Sequence, residues 1–146
     1  ELAAHGKYTV RPETAQKIAA EFACGFCDDK GTKQTIAKLF SKKNYLLDTH
    51  TAVAWNVAES YRETSGAKNP LVVVSTASPF KFCQSVLEAL GETEFAAGTD
   101  IIAQLAKKTG KTAPAPLAGL AGKAVRFTGV TGKDEMEGKV TEFLRA

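Results

Sequence analysis

Two adjacent hydroxyls, Ser75 and Thr76, stand at the end of the apolar run Leu71-Val-Val-Val74. Hydroxyls can both donate and accept a hydrogen bond, so a pair presented at the end of an element suits the recognition of a polar ligand atom. The run that carries them has three β-branched residues in four, which predicts a strand buried on both faces, over about 71–76. Ser78 can then cap a helix opened by Pro79, with Phe82, Val86, Leu87 and Leu90 at helical spacing and Gly91 as its terminator. A strand, a polar turn and a helix make the kind of edge at which open α/β sheets bind ligands.

Other reactive residue types are present, and most have a structural reading. Cys24-Gly-Phe-Cys27 has the spacing of a thiol-redox pair. That chemistry wants its first cysteine at a helix N-terminus, whereas this pair follows a helical pattern and has Asp28 and Asp29 beside it, so two semi-buried structural cysteines are expected. A zinc site would need a second ligand pair, and His5, His50 and Cys83 lack ligand spacing, so no metal is expected. Ser78-Pro-Phe-Lys81 and Lys108-Thr-Gly110 mimic two boxes of penicillin-binding enzymes, but the third box is missing. Gly129-Val-Thr-Gly-Lys133 is too short for a phosphate loop and reads as a turn. His50 beside Asp48 falls at the start of a helical pattern, where capping and packing are the common roles.

The elements that must position these residues read as follows. Apolar residues recur at helical spacing from Glu13 to Phe26, again from Thr32 to Ser41, and along a long helix capped by Asp48 or Thr49 and running through Tyr61. A helix over Asp100–Lys108 is stopped by Gly110, and an amphipathic helix over Asp134–Leu144 is built on Met136, Val140, Phe143 and Leu144. Lys7–Val10 and Val125–Val130 read as minor strands, and Lys111–Gly122 as a connection without helix. The expected fold class is therefore α/β and helix-rich, with one strong buried strand, minor strands and five to six helices. A lone strand of that kind needs neighbours on both sides, and no comparable partner is written in the chain.

At 146 residues with 44% apolar and 24% charged residues, the chain is expected to form a single compact region over residues 1–146. A net charge of +3, spread along the chain without interleaved aromatics, argues against nucleic acid. No apolar run reaches membrane-spanning length, and three cysteines in a chain of this size fit a cytoplasmic protein.

Three segments, taken together in order, resemble the C-terminal part of threonine synthase of the long bacterial and fungal form, a member of the tryptophan-synthase-β-like group. Tyr45-Leu-Leu-Asp-Thr-His-Thr-Ala-Val-Ala54 is similar to that family's Asp-Pro-His-Thr-Ala-Val helix start. Ser75-Thr-Ala-Ser-Pro-Phe-Lys-Phe82 is similar to its Ser-Thr-Ala-His-Pro-Ala-Lys-Phe turn, and Phe26–Ile36 resembles the segment before the first motif. Thr49 replaces the usual proline and Ser78 the frequent histidine, which leaves the roles of those positions, and of Asp48, His50 and Lys81, open.

The resemblance implies an enzyme that uses pyridoxal 5'-phosphate to convert O-phospho-L-homoserine and water to L-threonine and phosphate. In that group a Ser or Thr hydroxyl meets the pyridine nitrogen, and Thr76 is the matching position, with Ser75 as its neighbour in the cofactor-binding set. The family's Schiff-base lysine and glycine-rich phosphate loop have no counterpart here, and the chain opens on Glu1. The expectation is a C-terminal part of threonine synthase with no catalytic residue of its own, inactive alone. Surface meant for the absent part would be compatible with a homodimer. The alternatives are a non-catalytic binding or scaffold domain of the same fold, and a thiol-redox protein using Cys24 and Cys27.

Overall fold

The chain packs where helix stripes from four successive elements meet. In the computed structural model, which describes residues 1–145, the α-helices are α1 (Leu2–His5), α2 (Pro12–Glu21), α3 (Asp29–Lys43), α4 (Thr49–Ser65), α5 (Cys83–Ala89), α6 (Asp100–Thr109), α7 (Ala115–Ala118) and α8 (Met136–Arg145). Short 3-10 helices cover Pro79–Lys81, Gly119–Gly122 and Lys133–Glu135. The core is built from Ile36 and Leu39 of α3, Leu47 and Ala52 at the entry to α4, and Phe80, Cys83, Val86 and Leu87 around α5. Leu105 of α6 closes it, and Leu117 of α7 packs on its rim. Burial pushes the Cys83 thiol above its ordinary pKa, so it stays a neutral core residue.

Local signals explain the helix ends. Asp28 accepts the Gly31 N–H at 2.7 Å and starts α3, which ends on Asn44 in the left-handed region at φ 51°. Asp48, the first of the two expected caps, starts α4, and Gly66 stops it at φ 66°. Ser78 accepts the Phe80 N–H at 3.3 Å and opens the Pro79–Lys81 turn, with α5 following after Phe82. The amphipathic pattern at the C-terminus does form a helix, α8, but its Met136, Val140, Phe143 and Leu144 are all exposed.

The expected α/β class is overturned: the fold is helical, and among the described residues there is no strand and no sheet. Residues 71–76 have no regular secondary structure and pair with nothing among the described residues. Val72 is 88% and Val74 71% exposed, whereas Val73 is half-buried and with Leu71 lines a small cavity against Trp55 and Arg62. The alternation of a strand is therefore present without the ladder that defines one. A β-branched run favours extended backbone, but a sheet needs a second strand to take its N–H and C=O groups, and helices α3 to α6 supply none. The minor strands expected at Lys7–Val10 and Val125–Val130 are likewise unpaired coil for the same reason.

Several boundaries also move: α3 begins at Asp29 and not Thr32, and α4 runs on past Tyr61 to Ser65. The helix expected to run to Phe26 stops at Glu21, and Phe22 turns extended (φ −126°, ψ 133°). The chain then lies against α4 so closely that a Cβ on Gly25 would stand 2.8 Å from Val57 Cγ1, an approach only glycine allows. The Lys111–Gly122 connection does contain helix: Pro116 in the first turn of α7 brings a backbone angle already suited to it.

Candidate functional site

The two motifs that share a resemblance are separate in sequence, and the fold brings them into contact. The first is the start of α4. Asp48 is 1% exposed, and its Oδ1 accepts the backbone N–H of His50 at 2.9 Å and of Thr51 at 3.3 Å. Its Oδ2 accepts the Thr51 hydroxyl in a short contact. Thr51 is 3% exposed, so carboxylate and hydroxyl form a buried pair against the positive end of the helix.

The second motif is the turn Ser75–Phe82. Ser75 Oγ lies 3.2 Å from Thr51 Oγ1, which ties this segment to the buried pair. Ser75 is also 3.5 Å from the Ala77 carbonyl, a weaker contact. Thr76 is exposed, and among the described residues its hydroxyl has no hydrogen-bond partner. Further along, the Phe82 ring meets the His50 ring at 4.9 Å between centroids, tilted by 57°. The His50 side chain is mostly exposed, with Nδ1 3.3 Å from Asp48 Oδ1 and 3.4 Å from Thr49 Oγ1. Lys81 is exposed, and Ser78 serves as a cap.

Concave surfaces flank this junction on both sides of His50. A cleft of about 600 Å³ runs between the start of α4 and the facing surfaces of α3 and α5, with Lys33, Thr49, His50 and Glu88 among its walls. Lys33 Nζ is 2.7 Å from Glu88 Oε2, and this pairing raises the lysine pKa and lowers that of the carboxyl. A more apolar groove of about 770 Å³ lies along α4 under the segment 23–26, lined by Val57, Tyr61 and Leu71.

The two cysteines of the redox-type pair line the two concave surfaces, Cys27 the cleft and Cys24 the groove. Cys24 is exposed, and Cys27 is partly buried just before the cap of α3, its Sγ 3.7 Å from Thr32 Oγ1. The pair thus sits between two helices, and only Cys27 has the semi-buried setting expected of both.

Residues 51–141 match the family described as threonine synthase, C-terminal. The chain belongs to that family. Curated relatives include the threonine synthase of Corynebacterium glutamicum, 37% identical over 81 residues, which are 53% of this chain and 16% of that protein. The threonine synthase of Methylobacillus glycogenes is 37% identical over 70 residues, 48% of this chain and 14% of the relative. Threonine synthase-like 1 of Mus musculus is 33% identical over 79 residues, covering 54% and 10%. The matched stretch is therefore about a sixth or less of the length of these relatives. The likeness to a C-terminal part of threonine synthase, read from Tyr45–Ala54, Ser75–Phe82 and Phe26–Ile36, is borne out.

Within this threonine synthase region, sequence reading missed Thr51. The signal was present: an Asp at the helix cap with a Thr three residues on places a second side-chain group over the capping carboxylate. Its contact with Ser75, 24 positions away, required the fold.

Proposed function

We propose that this chain forms one wall of the pyridoxal phosphate site of a threonine synthase, acting on O-phospho-L-homoserine. The observation that carries the reading is the Thr76 hydroxyl, exposed and unpartnered among the described residues, on a segment anchored to the buried start of α4 in a chain of the threonine synthase family. A pyridine nitrogen is a single in-plane acceptor, and a free neutral hydroxyl fits it. When bound, the cofactor supplies an electron sink for carbanion character on the substrate.

What the chain's own residues contribute is placement. Thr76 donates a hydrogen bond to the ring nitrogen and brings no charge, so the nitrogen is not forced into the protonated state that a carboxylate would favour. Ser75 holds the neighbouring backbone inward, and the Ser78 cap sets where the following turn begins. The lysine that links the cofactor and the groups that hold its phosphate belong to other segments of such an enzyme. The 146-residue chain alone is inactive on this reading.

Thr76→Val in a complete threonine synthase carrying this region tests the assignment. Loss of one hydrogen bond to a ring that becomes charged or strongly polarised costs about 1.5–3 kcal/mol, so turnover should fall roughly 10- to 100-fold. Turnover within about twofold of the parent, on the same scale of transition-state loss, would remove Thr76 from the site. Phosphate release from O-phospho-L-homoserine by the isolated chain with added pyridoxal phosphate would overturn the view that it supplies only a wall.

A further inference from the structure

The contacts at the start of α4 fix the direction of a proton chain. An ionised carboxylate only accepts, and a threonine hydroxyl has one proton to give. Asp48 Oδ1 is occupied by two backbone N–H groups, and its Oδ2 takes the Thr51 proton. With the Thr51 proton on Asp48, the 3.2 Å contact between Thr51 Oγ1 and Ser75 Oγ takes the Ser75 proton, in preference to the longer 3.5 Å contact with the Ala77 carbonyl. The order is Ser75 to Thr51 to Asp48, running from an exposed segment to a buried anion.

We infer that Thr51 is a positioning residue: held by Asp48, its hydroxyl captures the Ser75 proton and so fixes the segment that presents Thr76. Two consequences follow from the geometry. Ser75 has spent its only proton inward and cannot donate to a ligand. Thr76, the next residue, is exposed and makes no hydrogen bond among the described residues, so its proton stays free for the outside. An inward anchor and an outward donor are thereby assigned to the adjacent hydroxyls of Ser75 and Thr76. Among the described residues no backbone–backbone hydrogen bond holds 72–77, and the Ser75–Ala77 contact is local, which makes the Ser75 tether the polar contact that ties this stretch to the rest of the fold. The use of the outward donor rests on the Thr76 reading above, whereas the relay stands on its own distances.

The test is ¹⁵N relaxation on the 146-residue chain and its variants, reading the backbone order parameters of Ser75, Thr76 and Ala77. In the parent these should sit near the rigid value of about 0.85, and Thr51→Val should lower them below about 0.6. Ser75→Ala should do the same, and the double variant should go no lower. Thr51→Ser keeps the hydroxyl and should restore the parent values, a rescue that mere filling of the buried site would not give. Ser75 is exposed, so Ser75→Ala keeps the test sound if Thr51→Val fails to fold. Order parameters unchanged in Ser75→Ala would overturn the relay. Thr76→Val should leave them at parent values, and a loosened segment in that variant would also overturn it. Normal turnover of the Thr76→Val enzyme, by contrast, would remove the cofactor contact and leave the relay intact, so the two ideas fail separately.

Discussion

Asp48 carries more of the local structure than its single residue suggests. It satisfies two of the orphan N–H groups that begin α4 and receives the Thr51 hydroxyl, all at 1% exposure. Asp48→Ala would leave two buried donors, the N–H and the hydroxyl of Thr51, and the His50 N–H short of this acceptor. A lost cap costs about 1 kcal/mol, and an unsatisfied buried donor about 1–3, so a fall of about 2–4 kcal/mol in unfolding free energy is expected. Asp48→Asn keeps an oxygen for the cap and should lose about half as much. Urea unfolding of the two variants beside the parent measures both, and equal losses would mean that capping is not what Asp48 does. Much of this was legible in advance. A buried Asp before a helical stripe is a cap by the chemistry of its carboxylate, whichever fold surrounds it. The partner of Thr51 was not legible, because no local rule links positions 51 and 75.

At the scale of elements, helices were readable and their surroundings were not. Caps and terminators act within a turn of chain, so Asp28, Asp48, Gly66 and Gly110 mark real ends of α3, α4 and α6. The run Leu71–Val74 misled for the opposite reason: a β-branched sequence states a backbone preference, and pairing depends on a strand elsewhere. The contact between α3 and α5 offers a test at this scale. Glu88 is held below its ordinary pKa first by its bond to Lys33 and then by Gln84, and Lys33 is raised by the same pair. A carboxyl whose folded value is depressed adds stability that is complete above its unfolded value near 4.5 and is lost as pH falls through the folded value. Both side chains are substantially solvated, so the contribution is modest and screened by salt. Thermal unfolding of Lys33→Met should therefore fall below the parent at pH 6 in low salt by more than it does at pH 3, with the gap closing at about 1 M salt. A gap of equal size at both pH values would mean that packing, not charge, joins the helices at this point.

For the molecule as a whole, burial is concentrated in the middle of the chain. Every fully buried residue lies between Thr32 and Thr109, and the residues that pack against them reach only to Leu117. On either side, α2 and α8 keep their apolar stripes in solvent, with Ile18, Phe22, Phe143 and Leu144 all exposed. A helix whose apolar face touches nothing gains little from tertiary packing, and ten residues are too few to hold a helix by propensity alone. Stability of the α3–α7 core should therefore be nearly independent of the C-terminal segment. Among the described residues 123–145 no side chain is buried, so on removing the segment from 123 onward the melting temperature should move by less than about 2 °C, where a loss of 1 kcal/mol would move a core of about this size by about 4 °C. The same truncation should erase about one helix of ten residues from the circular dichroism spectrum if α8 forms in solution. A melting temperature several degrees lower, with the core helices otherwise intact, would show that α8 folds back onto the core. The exposed stripe would then be accounted for within this chain, and no other surface would be needed to cover it.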